Sequence, residues 1–358
     1  MKAIDHPFTK IINGTMQFVI PVFQRDYSWT EAHCEQLWND ILAIAVDATD
    51  RGHFLGSVVY VSTGDSSAAF TRWLLIDGQQ RLTTLTLLLT ALRDHIRESG
   101  WKGSEDGPSL KRIEAYFLKN VQEEGERQYK LVLRRHDQGT LKALLDGSTP
   151  SANPSERVVD NYQFFREHLS EANLEQVWRG IGRLVVVDVT LSHGADDPQL
   201  IFESLNSTGV DLSQSDLIRN FILMRLPEKE QTRLYETYWC RIEQLFRGSE
   251  KTFDSFIRDY IALRTQASKQ EKASEIYFAF RRFFGSIGSS PERLEELLAQ
   301  LLRFARYHAA FSIGAEAPPP LKEALARLRR LVDVPATLVM RLFEWFEDRK
   351  SLNLEQCC

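Results

Sequence analysis

Residues 74–85 run from an apolar strand through an Asp-Gly turn into a long helix: Leu74-Leu75-Ile76-Asp77-Gly78-Gln79-Gln80-Arg81-Leu82-Thr83-Thr84-Leu85. Nowhere else does the chain put so much polar chemistry at the joint of two buried elements. Leu82, Leu85, Leu89, Leu92 and Ile96 recur at helical spacing and form one apolar stripe. Thr83, Thr86, Thr90, Arg93 and Arg97 run parallel to it on another face. The helix therefore begins near Gln79, and its unpaired N–H groups point back at the turn. Free amides and the positive end of the helix dipole converge there, which suits an anion. Arg81 is out of place on dipole grounds, because a cation is unfavourable at a helix N-terminus. A bound phosphate would remove that conflict.

Spacing alone leaves two readings of this joint. In one it is a nucleotide phosphate site. Gly78 admits the ligand to the backbone, and the amides and Arg81 hold phosphate. Gln79 or Gln80 positions water or a ribose, and Asp77 serves as a base or a metal ligand. In the other it is a turn with a capped helix and a solvated arginine. It is not a Walker loop, since no glycine-rich loop ends in Gly-Lys-Ser/Thr.

Two further stretches carry chemistry. Ile20-Pro21-Val22-Phe23-Gln24-Arg25-Asp26-Tyr27-Ser28-Trp29 interleaves aromatics with Gln and Arg, a pattern that stacks on a base and reads its edge. The competing reading packs Phe23, Tyr27 and Trp29 into the core and pairs Arg25 with Asp26 or Asp77. Phe202 to Gly209, continuing through Ser213, Asp216 and Asn220, is a helix–turn–helix corner rich in Asn, Ser, Thr and Asp. It either completes a nucleotide pocket or is an ordinary corner with good caps. Asp94-His95-Ile96 superficially matches the start of a His-Asn-His nuclease motif, but it lies inside the long helix without downstream ligands, a chance match. Arg134-Arg135, Arg281-Arg282 and Arg329-Arg330 have the charge to touch phosphates but read first as solvated helix faces.

The spacing predicts an α+β chain: mixed α/β over 1–226, then all-helical over 227–358. Strands are expected at Phe18–Ile20, His53–Val61, Arg72–Ile76, Tyr129–Leu133 and Leu184–Leu191. The second and third form a hairpin, and the last is the most strand-like and central. Helices are expected from Thr30 to about Val46 and over Leu110–Val121, with six more after Glu228. The net charge of −5 excludes a global basic field, so any nucleic acid must be met by local patches. Cys34, Cys240, Cys357 and Cys358 lack metal-ligand spacing and fit a reducing cytoplasm. The N-terminus has no apolar signal region, and no run reaches the length of a membrane span.

The three polar stretches occur in one order, and together they resemble the N-terminal domain of GmrSD-type restriction proteins, whose relatives include SspE and BrxU. Ile20 to Trp29 is similar to that family's IPxFQRxYxW segment, Asp77 to Leu85 to its DGQQRLTTL signature, and Phe202 to Asn220 to its FxxLNxxGxxLxxxDLIRN segment. The likeness spans about residues 8 to 226. It implies a ParB/sulfiredoxin-like core that binds and hydrolyses a nucleoside triphosphate, often GTP, with Mg2+ or another divalent cation. It also implies a role in bacterial anti-phage defence that acts on modified DNA, with a modest preference for phosphorothioate. Carried onto this chain, Asp77, Gln79, Gln80 and Arg81 are the catalytic signature, with Asp77 also the metal ligand. Gly78, Gln24, Arg25, Asn206 and Asp216 bind nucleotide, and Phe23, Tyr27 and Trp29 couple DNA sensing to it. Many members carry a His-Asn-His nuclease domain. None is found before Cys358, so the nuclease is expected beyond this piece or on another chain, and this polypeptide alone is not expected to cut DNA efficiently. The alternative is a non-hydrolysing module that binds modified DNA and regulates a separate nuclease. The resemblance leaves room for a homo-oligomer.

Overall fold

The computed structural model describes residues 1–49, 51–64, 70–102, 107–192, 196–206, 213–266, 272–287, 290–315, 319–331 and 336–349. The chain divides into two compact units, 1–205 and 206–358. The first holds a mixed six-stranded sheet; among the described residues the second is helical. No helix of the described residues is long and apolar enough to cross a membrane.

The sheet is built around the expected hairpin. β3 (His53–Ser62) and β4 (Thr71–Asp77) pair antiparallel, with Tyr60 opposite Leu75. Labelling the other strands β1 (Lys2–Pro7), β2 (Met16–Val19), β5 (Leu131–Val132) and β6 (Leu184–Leu191), the order is β1-β6-β3-β4-β2-β5. β6 is interior as expected, between β3 and β1, but one place in from the edge. β1 was not legible. Lys2-Ala3-Ile4-Asp5-His6-Pro7 is an edge strand, and an edge tolerates polar residues that hide the usual alternation.

β4, β2 and β5 run parallel to one another. Their C-terminal ends therefore lie along one rim of the sheet, where ligands collect in sheets of this kind. β4 ends there at Asp77, β2 leads into residues 20–30, and β5 leads into Arg134. β3 runs the other way, so its first half, His53 to Ser57, reaches the same rim.

The helix after β4, Gln79–Ser99, follows α1 (Phe8–Ile11) and α2 (Glu31–Val46) and is α3. It differs from the two-faced helix expected. Not only the leucine stripe but also Thr83, Thr84, Thr86, Thr90, Arg93 and Asp94 are buried. The threonines tolerate this because their hydroxyls bond back along the helix: Thr84 to the carbonyl of Gln80 (2.8 Å), Thr86 to Leu82 (2.8 Å) and Thr90 to Thr86 (2.7 Å). Arg93 is 0% exposed. It pairs with Asp94 at 2.8 Å and donates to the carbonyls of Leu144 (2.9 Å) and Leu145 (2.7 Å). Those carbonyls end a later helix, Arg135–Leu145, which their bonding to a cation caps. Asp94 also accepts from Tyr162 (2.9 Å), so the Asp94-His95 pair is structural.

The segment before β5 departs from expectation. Leu110–Val121 is not one α-helix but α4 (Leu110–Ile113) followed by a π-helix, Glu114–Leu118. The strand expected over 129–133 is cut to Leu131–Val132. Upstream, Gln17 Nε2 takes the carbonyls of Glu126 and Tyr129. Lys130 is buried beside it and bonds the Gly14 carbonyl, and burial pulls its pKa from 10.5 down to about 8. The remaining helices of the first unit are α5 (the Arg135–Leu145 helix), α6 (Glu156–Glu171), α7 (Leu174–Gly182) and α8 (Pro198–Asn206), the last crossing into the second unit.

The second unit runs from α9 (Gln214–Leu223) to α16 (Ala336–Arg349), with a π-helix at Tyr235–Trp239. Buried aromatics fill it, among them Trp239, Phe256, Tyr260, Phe280 and Phe304. Of the six helices expected after Glu228, five are present with shifted bounds, such as α14 at Pro291–Ser312, where Ser290 caps the Arg293 amide; the one expected over 234–246 is instead the π-helix followed by α11 (Cys240–Leu245).

Two outcomes follow. Arg93→Ala leaves two helix-end carbonyls without their donor and Asp94 with only Arg97 and Tyr162, so urea unfolding should show a loss of at least about 2 kcal/mol. Between about pH 8 and pH 10, unfolded Lys130 keeps its proton while the folded one loses it. Stability contributed by this group therefore rises with pH in that window. Lys130→Met should remove that rise when the two proteins are unfolded side by side at pH 8 and pH 9.5.

Candidate functional site

The rim where β4, β2 and β5 end is organised by Gly78. It caps α3 in the left-handed region, at φ 94°, and lets β4 turn into helix within one residue. A Cβ there would lie 3.0 Å from the carbonyl oxygen of Ser57 and 3.2 Å from the Cα of Val58. Both the turn and the close packing on β3 therefore demand glycine. No acceptor among the described residues takes the N–H groups of Gln79, Gln80 and Arg81; the first helical bond runs from Leu82 N to the Gly78 carbonyl (3.0 Å). Three amides at the start of the longest helix of the first unit are thus left without an acceptor among the described residues.

The arginine that conflicts with the helix dipole is balanced from within the protein. Arg81 folds back across β3 and donates to the Ser57 carbonyl (2.7 Å), and its other nitrogen lies 3.5 Å from Asp77. Asp77 also accepts from the Ser57 hydroxyl (3.1 Å). The space for this comes from Gly56, where the register of β3 against β6 shifts. Gly56 has φ 110°, and a Cβ on it would fall 2.3 Å from the Arg81 guanidinium. Asp77 and Arg81 remain about one-fifth to one-quarter exposed, so both stay open to a ligand.

The loop after β2 is held from beneath by α3. The Gln80 side-chain oxygen accepts the backbone N–H of Ser28 (2.9 Å) and of Trp29 (3.2 Å), and its nitrogen donates to the Asp26 carbonyl (3.3 Å). Gln24 donates to the carbonyl of Ile76, the residue before Asp77 (2.8 Å). Both glutamines are therefore spent on backbone. Gln79 and Arg25 are different. The Gln79 amide is nearly buried yet makes no hydrogen bond among the described residues, and the Arg25 guanidinium has no carboxylate partner among them. Both border a recess shared with Thr83, Arg134 and Asp137 that is closed to a water-sized sphere.

The aromatics of the loop fall on both sides of the expectation. Phe23 is fully buried and Tyr27 nearly so. The Tyr27 hydroxyl bonds Thr84 (2.7 Å) and Asn161 (2.8 Å), and burial drives its pKa well above the ordinary phenol value. Neither ring offers a free face to a base. Trp29 is half-buried and stacks on His33, with ring centroids 5.5 Å apart. Arg25 pairs with neither Asp26 nor Asp77; Arg134 takes Asp26 instead, at 3.2 Å. Asp216 lies in the second unit and pairs with Arg219 at 2.8 Å, while Ser213 caps its amide. The side chain of Asn206 and residues 207–212 lie outside the described residues.

A family model described as GmrSD restriction endonuclease, N-terminal domain, matches residues 5–223. The chain belongs to that family. A GmrSD N-terminal domain is a module of a restriction system that acts on DNA, and no curated protein adds a match to this one. The rim of this GmrSD domain includes residues that the sequence did not single out. Ser57 and Gly56 sit in a strand whose lone interior glycine is a signal for close backbone approach. Arg134, read as a solvated face, instead donates to the Gln24 carbonyl (2.7 Å). Asp137 accepts the Tyr27 amide (2.7 Å) and is buried, which raises its carboxyl pKa.

Gln80→Ala leaves two loop amides without their acceptor. It should cost about 1–3 kcal/mol and speed hydrogen exchange at Ser28 and Trp29, as read by NMR. Gln80→Glu keeps the acceptor oxygens and should restore most of the protection.

Proposed function

We propose that this chain is the sensor module of a modification-dependent restriction system, and that it binds and hydrolyses a nucleoside triphosphate at the β4–α3 joint. GTP is the preferred nucleotide and phosphorothioate DNA the preferred signal; both preferences rest on the family resemblance. DNA cutting belongs to a separate nuclease domain. One observation supports the site above all: the three uncommitted amides of α3 stand beside Asp77 and Arg81. Anion donors, a cation and a carboxylate are then within one turn of helix.

In this reading the α3 amides and Arg81 hold the terminal phosphates, as helix N-termini do. Arg25 and the Gln79 amide, lacking partners among the described residues, supply further donors. No group of three metal-binding side chains occurs among the described residues. A magnesium ion would therefore take Asp77 and phosphate oxygens, a donor set that suits it. When bound, it supplies charge neutralisation at the phosphates. Gln79 is the glutamine left to take the water-orienting role, because Gln80 is already spent on the loop.

The Asp77–Arg81 contact also favours a second reading, a module that holds nucleotide without turning it over. Hydrolysis of radiolabelled GTP and ATP by the purified chain, with and without modified DNA, separates the two. Arg81→Ala should lower turnover about 100-fold and weaken nucleotide binding. Asp77→Ala should lower turnover while binding survives. Wild-type binding without turnover would favour the holding module. Undiminished turnover in a folded Arg81→Ala protein would overturn the assignment.

A further inference from the structure

A larger groove in the first unit shares no lining residue with the β4–α3 joint. It lies among α1, α4 with its π-helix, and the end of α7, and has a volume of about 720 Å3. That is the size of a ligand site. Lys10, Lys111 and Arg112 stand around it, and no carboxylate lines it. None of the three cations has a carboxylate partner among the described residues. In a chain of net charge −5, such a cluster inverts the local sign.

The groove is also aromatic. Within the π-helix Phe117 is buried, while its neighbour Tyr116 stands 51% exposed. Single π-turns of this kind are frequent at functional sites. Beneath, Trp178 meets Phe117 edge-to-face with centroids 5.9 Å apart, and the Arg112 guanidinium lies 5.7 Å from the Trp178 ring. Arg112 is thereby held over the groove rather than free in solvent.

We propose that this groove binds a single-stranded nucleic-acid segment, with phosphates on Lys10, Lys111 and Arg112 and a base against Tyr116. Cations that track a backbone beside an exposed aromatic are how single strands are gripped without sequence preference. A duplex keeps its base faces stacked and has none to offer Tyr116. Three neutralised phosphates give a modest affinity with a log–log salt slope of about −2. The proposal goes beyond nucleotide hydrolysis at the joint and does not require it.

Fluorescence anisotropy of the full chain with labelled oligothymidylate, and with a matched duplex, tests it. The single strand should bind more tightly than the duplex. Tyr116→Ala should weaken it about 5- to 100-fold. The double variant Lys111→Glu, Arg112→Glu should weaken it by at least about 10-fold and flatten the salt slope. All three positions are exposed, so thermal unfolding should match wild type. GTP turnover without DNA should be unchanged in these variants, so failure here is distinct from failure of the nucleotide reading. Equal affinity for duplex, affinity indifferent to the groove variants, or binding only of free mononucleotide would each overturn the proposal.

Discussion

A helix sunk into a protein interior must satisfy the polar side chains along its length, and α3 does so from Gln80 onward with its own carbonyls and with neighbouring segments. Its threonines bond to carbonyls one turn back, and Arg93 is enclosed by Asp94 and by the open end of α5. Only with those groups neutralised can leucines on its other sides pack against the sheet and the neighbouring helices. The N-terminal end of α3 is fixed by the same burial. A helix locked along its length cannot retreat from the strand end it follows, so its free amides stay aimed at the rim.

Much of the fold was legible because its signals are local. The β3–β4 hairpin, the long helix and the C-terminal helices each announce themselves by period and caps. Failures came where tertiary contacts override local pattern. β1 is polar because it is an edge, and β5 is clipped by the Gln17 side chain. The helix expected over 110–121 widens into a π turn and ends at Leu118, where Lys119 turns extended to pair with Tyr129. The second face of α3 looked like a solvent face because threonine is polar in sequence and nearly apolar once its hydroxyl bonds back along the helix.

The site was legible as a stretch but not as a set of roles. Asp77-Gly78-Gln79-Gln80-Arg81 stood out, yet nothing in the letters separates Gln80, which clamps a loop, from Gln79, which has no internal partner. The arginine that seemed to require a phosphate is already offset by Asp77 and the Ser57 carbonyl. That solution depends on Gly56, which approaches Arg81 only after the sheet forms. The motif is thus a joint effort of two strands, and only one of them carries the signature.

The Gln80 clamp has a consequence for how such a loop varies. It grips the main chain at Asp26, Ser28 and Trp29, with no hydrogen bond to their side chains among the described residues. That main-chain grip does not depend on the side chains, although Asp26 also pairs with Arg134 and Trp29 stacks on His33. The exposed side chain of Ser28 can be exchanged without loosening that grip, much as one letter changes on a fixed type bar. A module that must recognise different chemical marks can thus alter its outward face while its inner machinery stays in register.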